Sequence, residues 1–289
     1  MPSQTIQWFP GHMAKTRRLI NENLKHVDAV IEVLDARIPY SSRNPEIIRL
    51  CADKPSVLLL NKASLADSSV TSYWANKYTT DTTRCIETDC ISGYGISKIA
   101  PTLREVCHEK LVRYEQKGMH GRPIKAMIVG IPNVGKSSLI NKLCGTKKTK
   151  VENRPGVTLD KQWVCTSIGI QLLDMPGVLW PKFDEPFVGE NLAITGAIKD
   201  DVLDIETVAS VLCGRLRKMY PELLMQRYKL DLLPKEDEMS DYDLLTLIGR
   251  KRGHLVAGGE VNTERTANML IDEFRAANIG RISLDYCER

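Results

Sequence analysis

The feature that most constrains this chain is a glycine-rich segment between a strand and a helix. Residues 130–137 read Gly-Ile-Pro-Asn-Val-Gly-Lys-Ser, after the apolar run 125–129 and before a helical pattern over 138–143. This is a complete P-loop, G-x-x-x-x-G-K-S, in the required context. Glycines permit positive φ and close backbone approach, so amides and a helix N-terminus can surround phosphates. The predicted contacts come from Asn133, Val134, Gly135, Lys136, Ser137 and Ser138.

Further groups suit a metal-bound triphosphate. Lys136 is expected to reach the β- and γ-phosphates, and the Ser137 hydroxyl to bind Mg²⁺. Downstream, Asp174-Met-Pro-Gly177 closes a predicted strand and matches D-x-x-G. Asp174 is predicted to hold Mg²⁺ through water, and the Gly177 amide to sense the γ-phosphate. Thr158, in the loop between these motifs, is the predicted second Mg²⁺ ligand.

The base-reading loops occur upstream of the phosphate loops. Residues 60–64 read Leu-Asn-Lys-Ala-Ser and end an apolar run, close to N-K-x-D. Asn61 is expected to support the loop and the Lys62 stem to lie over the base. A later strand, 85–88, leads to Cys90, whose backbone amide is the candidate donor to the guanine oxygen. This order indicates a circular permutation, which is physically easy because chain ends often lie close together.

The pattern of elements predicts the fold class. Short aliphatic runs at 29–34, 56–60, 125–129 and 170–173 alternate with helical patterns, which indicates a doubly wound, mostly parallel α/β sheet. We expect this permuted P-loop GTPase domain to cover 1–185. A small, all-helical domain is expected over 186–289, with helix starts near Ile205, Pro221, Ser240 and Asn262 or Thr263.

Composition and terminal sequence bear on the cellular location of the protein. The 289 residues are 43% hydrophobic, and no apolar run approaches the roughly 18 residues needed to span a bilayer. The N-terminus lacks a basic segment followed by an apolar stretch. The eight cysteines show no zinc-ligand spacing and suit reduced thiols. A cytoplasmic protein without a membrane partner is predicted.

With these motifs in one chain, the sequence resembles the circularly permuted ribosome biogenesis GTPase A family, also called YlqF. The matching segments are Trp8-Phe-Pro-Gly-His-Met13, Asp35-Ala-Arg37, Ser41-Ser-Arg-Asn-Pro45, the P-loop, Asp174 to Gly177 with Trp180-Pro-Lys182, Thr195-Gly-Ala-Ile-Lys199 and Lys251-Arg-Gly253 with Gly258-Gly259. The resemblance implies GTP hydrolysis coupled to late assembly of the large ribosomal subunit. It also implies GTP and GDP, rRNA and ribosomal proteins as partners, and a C-terminal domain similar to RNA-binding antiterminator modules.

One position departs from the family pattern. The family has aspartate where this chain has Ser64, and that aspartate accepts two charge-assisted hydrogen bonds from guanine. A serine offers one neutral bond, so discrimination is expected to fall by on the order of 2–4 kcal/mol. Asp67 lies three residues too late to substitute. On this reasoning, Ser64→Asp should tighten GDP binding.

The hydrolysis machinery also has an unusual residue. Val178 follows D-x-x-G where many GTPases carry a water-orienting glutamine, so another group must position the nucleophile. The resemblance nominates His12, whose imidazole can accept a hydrogen bond near neutral pH. By its position in the P-loop, Asn133 also resembles a K⁺ ligand of related GTPases.

Basic clusters and the chain order suggest how a partner is engaged. Lys147, Lys148, Lys150 and Arg154 lie in the first phosphate-sensing segment, and residues 250–252 form a basic patch. Both sensing segments, about 150–160 and 174–190, lead towards the helical region. A rival interpretation is an rRNA-binding assembly platform with a degenerate, weakly guanine-specific nucleotide site. A P-loop ATPase or small-molecule kinase is disfavoured by the Asn-Lys-Ala motif.

Overall fold

A six-stranded sheet forms the centre of the molecule in the computed structural model, which describes residues 11–145 and 163–285, without the side chains of 11–13. Its strands are β1 (Ala29–Asp35), β2 (Ser56–Asn61), β3 (Thr83–Glu87), β4 (Ile124–Val129), β5 (Trp163–Cys165) and β6 (Ile170–Asp174). Their spatial order is β3-β2-β1-β4-β6-β5. All neighbours run parallel except β5, which pairs antiparallel with β6 at the edge.

Helices cover the sheet and follow it in the chain. Those within the sheet region are α1 (Gly11–Leu24), α2 (Pro45–Cys51), α3 (Ser68–Tyr78), α4 (Ile99–Val106), α5 (His108–Gln116) and α6 (Lys136–Cys144). The helices after the last strand are α7 (Pro186–Ile194), α8 (Ile205–Met219), α9 (Pro221–Tyr228), α10 (Asp241–Lys251) and α11 (Thr263–Arg275). None of the helices in the described part of the chain is long and apolar enough to cross a membrane.

The central strands are mostly aliphatic because both faces of the sheet are covered. Every residue of β1 is buried. Since successive side chains point to opposite faces, Ile31 and Val33 pack with Leu139 of α6, whereas Val30 packs with Ile20 of α1. Burial on both faces explains why these strands are rich in aliphatic residues rather than alternating between apolar and polar ones.

Caps define the helices of the C-terminal region. The Ser240 Oγ accepts the Asp243 amide at 3.1 Å, and the Asn262 Oδ1 accepts the Arg265 amide at 2.9 Å. These bonds satisfy amides that have no partner within the helix. Pro221 stands at the first position of α9, where its missing N–H costs nothing. The helix starts that the sequence indicated near these residues are confirmed.

The last described residues return to the sheet. The Ile282 amide donates to the Leu65 carbonyl at 3.2 Å, and the Leu284 amide donates to the Arg37 carbonyl at 2.8 Å. Asp285 is buried and accepts the amides of Tyr40 and Ser41 at 2.7 and 2.9 Å. The helical region is therefore tied to the loops that follow β1 and β2, which the sequence did not predict.

Candidate nucleotide-binding site

The predicted loops meet at one edge of the sheet, the edge formed by the carboxyl ends of its parallel strands. They follow β2, β3, β4 and β6, and because these strands are parallel, their carboxyl ends lie on the same side. In open α/β sheets this edge is where ligands bind. The loops assigned to the base follow β2 and β3, and those assigned to the phosphates follow β4 and β6. The spatial arrangement thus brings together motifs that the chain order separates.

The P-loop backbone needs its glycines. Gly130 has a φ of 148°, and a Cβ there would lie 2.5 Å from the Val33 carbonyl oxygen of β1. Gly135 has a φ of 100°, and a Cβ there would collide with the Asn61 Nδ2. Helix α6 begins at the next residue, Lys136. The loop therefore presents a helix N-terminus and its free amides to the sheet edge, as phosphate binding requires.

Lys136 lies folded against the P-loop. Its Nζ donates to the carbonyls of Gly130 and Ile131 at 2.9 and 3.0 Å. Burial lowers the pKa of Lys136 to about 8, although the nearby Asp174 opposes the shift. The ammonium is thus held at the loop, but its charge is only partly compensated. A phosphate would supply that compensation.

The D-x-x-G segment lies directly against the P-loop. Asp174 ends β6 in register with Ile128 of β4. A Cβ at Gly177 would lie 2.5 Å from the Lys136 Nζ and 3.1 Å from the Pro132 nitrogen, so a side chain there would displace the lysine ammonium and crowd the P-loop. Burial raises the pKa of Asp174, while Lys136 opposes the rise.

The residues at this edge fit a hard divalent cation. Ser137 and Ser138 are exposed in the first turn of α6, and Asp174, although partly desolvated, remains accessible to solvent at the end of β6. Hydroxyl and carboxylate oxygens are ligands that Mg²⁺ prefers. Thr158 lies outside the described residues, so its predicted role as a second Mg²⁺ ligand stays a prediction.

Asn61 connects three loops. Its Nδ2 donates to the Val134 carbonyl of the P-loop at 2.7 Å. Its Oδ1 accepts the Cys90 amide of the loop after β3 at 3.2 Å. The side chain is buried, so both bonds are shielded from water. The Cys90 amide predicted for the guanine oxygen therefore already donates to Asn61.

Lys62 is oriented by an unusual backbone and an ion pair. It has a φ of 62°, and its Nζ donates to the buried Asp35 Oδ2 at 2.8 Å. Asp35 also binds Arg37 through both oxygens, at 3.0 and 2.7 Å. The pair fixes the head group of Lys62, while its position over the base stays a prediction.

Ser64 has a partner that the sequence analysis did not single out. Its Oγ donates to the Oδ2 of Asp89, which lies two residues beyond β3. The available signal was the occurrence of an acidic residue in the second base loop when the first loop lacked one. Asp67 is used elsewhere, since its Oδ1 accepts the Ser69 amide at 2.9 Å and caps α3.

The structure describes some of the residues nominated for hydrolysis and not others. Val178 is buried, and its carbonyl accepts from the Asn44 Nδ2 at 3.4 Å, so its side chain does no polar work. The Asn133 Nδ2 donates to the Gly196 carbonyl at 2.6 Å, which links the P-loop to the segment after α7. The backbone of His12 lies in the first turn of α1, but its side chain is outside the described part, as are the basic residues 147–154.

Comparison with known proteins decides the family. A family model described as "50S ribosome-binding GTPase" matches residues 125–217. Ribosome biogenesis GTPase A of Bacillus licheniformis is 46% identical over 97% of this chain and 98% of its own length. The chain belongs to the ribosome biogenesis GTPase A family. Mitochondrial ribosome-associated GTPase 1 of Ictalurus punctatus is 33% identical over 98% of this chain and 93% of its own.

Solved structures agree on the fold. YlqF from T. maritima, bound to GNP, matches with a TM-score of 0.62 and 24% identity over 95% of this chain and 99% of its own. The predicted fold class, a circularly permuted GTPase domain with C-terminal helices, is confirmed. The chain is therefore a GTPase of a family named for ribosome biogenesis, and such enzymes bind their nucleotide with Mg²⁺.

Proposed function

We propose that this GTPase binds the large ribosomal subunit, or its precursor, and couples GTP hydrolysis to a late step of subunit assembly. The observation that carries the proposal is the double hydrogen bond of Asn61, which joins both base loops to the P-loop. This buried link holds the base loops and the P-loop together, as an intact nucleotide site requires, and so favours a working site over the degenerate alternative. Relatives named for the ribosome, in bacteria and in mitochondria, supply the partner.

Different residues would bind the phosphates, the metal ion and the attacking water. The amides of the P-loop and Lys136 bind the β- and γ-phosphates, and the Gly177 amide senses the γ-phosphate. Ser137 and Asp174 would hold Mg²⁺, with Thr158 as a further ligand. When bound, the ion neutralises charge that develops on the phosphate oxygens. Val178 is apolar and buried, so we assign the positioning of water to His12.

Asn133 is proposed as a K⁺ ligand. Its amide donates through Nδ2 to the Gly196 carbonyl, which orients the Oδ1 as the remaining acceptor. A monovalent cation there would add positive charge near the phosphates, the role that an inserted arginine has in other GTPases. Turnover should then be slower in Na⁺ than in K⁺.

The helical region, 186–289, is proposed to contact rRNA. Of its basic patch, Lys251 pairs with Asp231 at 3.1 Å, and Arg252 pairs with Glu273 at 3.3 Å and lies over the Tyr228 ring. Arg250 is exposed on the same helix end. Only part of the patch charge is thus compensated, and the remainder suits phosphate contacts that weaken with salt. We place this activity in the cytoplasm.

A hydrolysis assay tests the proposal. GTP and ATP turnover should be measured with and without large ribosomal subunits, for the wild type, Lys136→Ala and the charge-matched control Lys117→Ala. Lys117 is exposed beyond α5. We expect subunits to stimulate GTP turnover only, Lys136→Ala to abolish it and Lys117→Ala to retain it. Subunit binding without any turnover would favour the assembly-platform alternative.

A further inference from the structure

The two base loops carry a buried carboxylate beneath an exposed hydroxyl. Ser64 lies in the short helical turn Ala63–Leu65 and is exposed, whereas Asp89 is only 3% exposed. The Ser64 Oγ donates to the Asp89 Oδ2. The other oxygen, Oδ1, accepts the amides of Ile91 and Ser92 at 2.9 and 2.8 Å. The carboxylate is thus fixed in its own loop and points its second oxygen at Ser64.

The ionisation of Asp89 determines where the hydroxyl proton points. Burial alone would raise the pKa of Asp89, but hydrogen bonds from Ser64 and from the Ser92 and Ile91 amides outweigh it and hold the pKa below its usual range. An ionised carboxylate can only accept hydrogen bonds. The single Ser64 proton must therefore point at Asp89, and the lone pairs of its oxygen remain on the exposed side.

We propose that Ser64 and Asp89 together read the guanine base. The Ser64 Oγ accepts from the N1–H and exocyclic amino group of guanine, and Asp89 is the positioning residue that keeps the serine proton away from the base. This inference rests on the proposed guanine-nucleotide site and names its specificity determinants. The negative charge expected at position 64 is supplied from the adjacent loop, one hydrogen bond away.

The Ser64–Asp89 pair discriminates between guanine and adenine because it fixes the Ser64 hydroxyl as a hydrogen-bond acceptor. An isolated serine can donate or accept, so it could donate to the N1 acceptor of adenine as readily as it accepts from guanine. A serine whose proton is held by Asp89 can only accept. Adenine N1 would then face lone pairs and leave both groups unsatisfied, which is costly when water is excluded. Guanine preference can therefore persist without aspartate at position 64.

The same pair reverses the simple expectation for Ser64→Asp. A second carboxylate would stand against Asp89, and like charges in contact are unfavourable. GDP binding should weaken rather than tighten in that single variant. Exchanging the two residues, Ser64→Asp with Asp89→Ser, restores one carboxylate and one hydroxyl and should recover binding. The serine at 89 can still accept loop amides, as serine does in turns.

Asp89→Asn tests the positioning role directly. The asparagine Oδ1 can keep the Ile91 and Ser92 amides, while its Nδ2 donates to Ser64 and frees the serine proton. Calorimetric titration should show GDP binding weakened roughly 10- to 100-fold, with ADP unchanged or tighter. Ser97→Ala, at an exposed serine on the next turn, should leave both affinities within about twofold of the wild type.

A double-mutant cycle separates this role from simple support of the loop. Ser64→Ala should lower GDP affinity to a similar extent, and adding Asp89→Asn should have little further effect because the two residues act through one contact. Additive losses would overturn the joint reading, as would an unchanged GDP-to-ADP ratio in Asp89→Asn or tighter GDP binding by Ser64→Asp. A wild type without preference for GDP over ADP would instead contradict the proposed guanine specificity itself.

Discussion

At the residue scale, Lys136 shows how burial lowers the pKa of an ammonium group that is expected to bind phosphate. Its ammonium is buried and donates to two carbonyls of its own loop, with a pKa of about 8 rather than the usual 10.5. A nucleotide phosphate stabilises the charged form, so the pKa in the complex must be higher. Binding above pH 8 is therefore coupled to the uptake of a proton by this side chain.

This coupling predicts a pH dependence of affinity. Below pH 8 Lys136 is already charged, and GDP affinity should be nearly flat. As the pH rises through 8 towards 9, affinity should fall, by at most tenfold per pH unit, because one proton must be taken up. Titration in buffers of different ionisation enthalpy would count that proton. Lys136→Arg is the control, since arginine stays charged, and a fall of equal slope there would contradict the assignment.

Catalysis predicts a separate effect for His12. Because Val178 is buried and apolar, the attacking water needs another partner. His12→Ala should lower subunit-stimulated GTP hydrolysis at least about tenfold while GDP affinity stays nearly constant. Single-turnover rates and calorimetric titration measure the two quantities. His26→Ala, beyond the end of the same helix, serves as the control, and an unaffected stimulated rate in His12→Ala would remove that residue from the mechanism.

At the scale of elements, the sequence predicted the strands that are buried on both faces. The runs that became β1, β2, β4 and β6 are short and rich in branched aliphatic residues, which is typical of a parallel strand covered on both faces. Edge strand β5 was not predicted, since three partly exposed residues give no periodic signal. The Ser64–Asp89 pair was missed for a related reason, because a contact between two loops leaves no local pattern.

The return of the chain at 282–285 likewise had no sequence signal. Its buried contacts at Asp285 predict a loss of stability when that carboxylate is replaced. The Asp285 Oδ2 accepts two amides, and its Oδ1 accepts from the Ser41 hydroxyl at 2.5 Å and the Asn191 Nδ2 at 2.9 Å. Asp285→Asn would replace one accepting oxygen by an NH₂ group, which would face hydrogen-bond donors and could accept from none of them. The cost should be about 2–4 kcal/mol, since buried groups lose their partners.

Amide hydrogen exchange is the suitable measurement for Asp285→Asn. Peptides that contain Tyr40 and Ser41 should exchange faster by roughly 30- to 1000-fold under conditions where opening is in rapid equilibrium, matching that free energy. Asp231→Asn provides the control, because that carboxylate is exposed and its ion pair with Lys251 lies at the surface. Unchanged protection at 40–41 would mean that the C-terminal return does not hold the β1 loop.

At the scale of the whole molecule, one continuous path of contacts joins the P-loop to the helical region. Asn133 donates to the Gly196 carbonyl, and a Cβ at Gly196 would lie 3.3 Å from the Arg275 Cζ. Arg275, at the end of α11, donates to the carbonyls of Ile194 and Ala193 at 2.9 and 3.0 Å and pairs with Asp200 at 2.7 Å. Arg275 thus holds the end of α7 and the segment beside the P-loop against α11.

A second contact reinforces this path from the base side of the site. The buried Arg37, which binds Asp35, also donates to the Thr195 carbonyl at 3.4 Å and lies 5.5 Å from the centroid of the Phe274 ring. Residues 195–196 are therefore held from the P-loop, from the β1 loop and from α11. Within the described residues, these contacts physically connect the P-loop to the helical region, so a change in the P-loop can be passed on through them.

Arg275 is the residue of this path that can be changed without altering the nucleotide site. Arg275→Gln removes the ion pair with Asp200 and the second donor to α7, but it touches no residue assigned to phosphate, base or water. Intrinsic GTP hydrolysis should stay within about twofold of the wild type, whereas the preference of large subunits for the GTP-analogue form over the GDP form should fall by roughly five- to tenfold, the lower range of an allosteric coupling energy. Co-sedimentation with subunits in each nucleotide state measures that ratio. Arg265→Gln, exposed on the outer side of the same helix, controls for charge, since it should weaken both states equally. If Arg275→Gln also weakens both states equally, Arg275 supports RNA contact alone, and the helical region does not sense the nucleotide through residues 195–196.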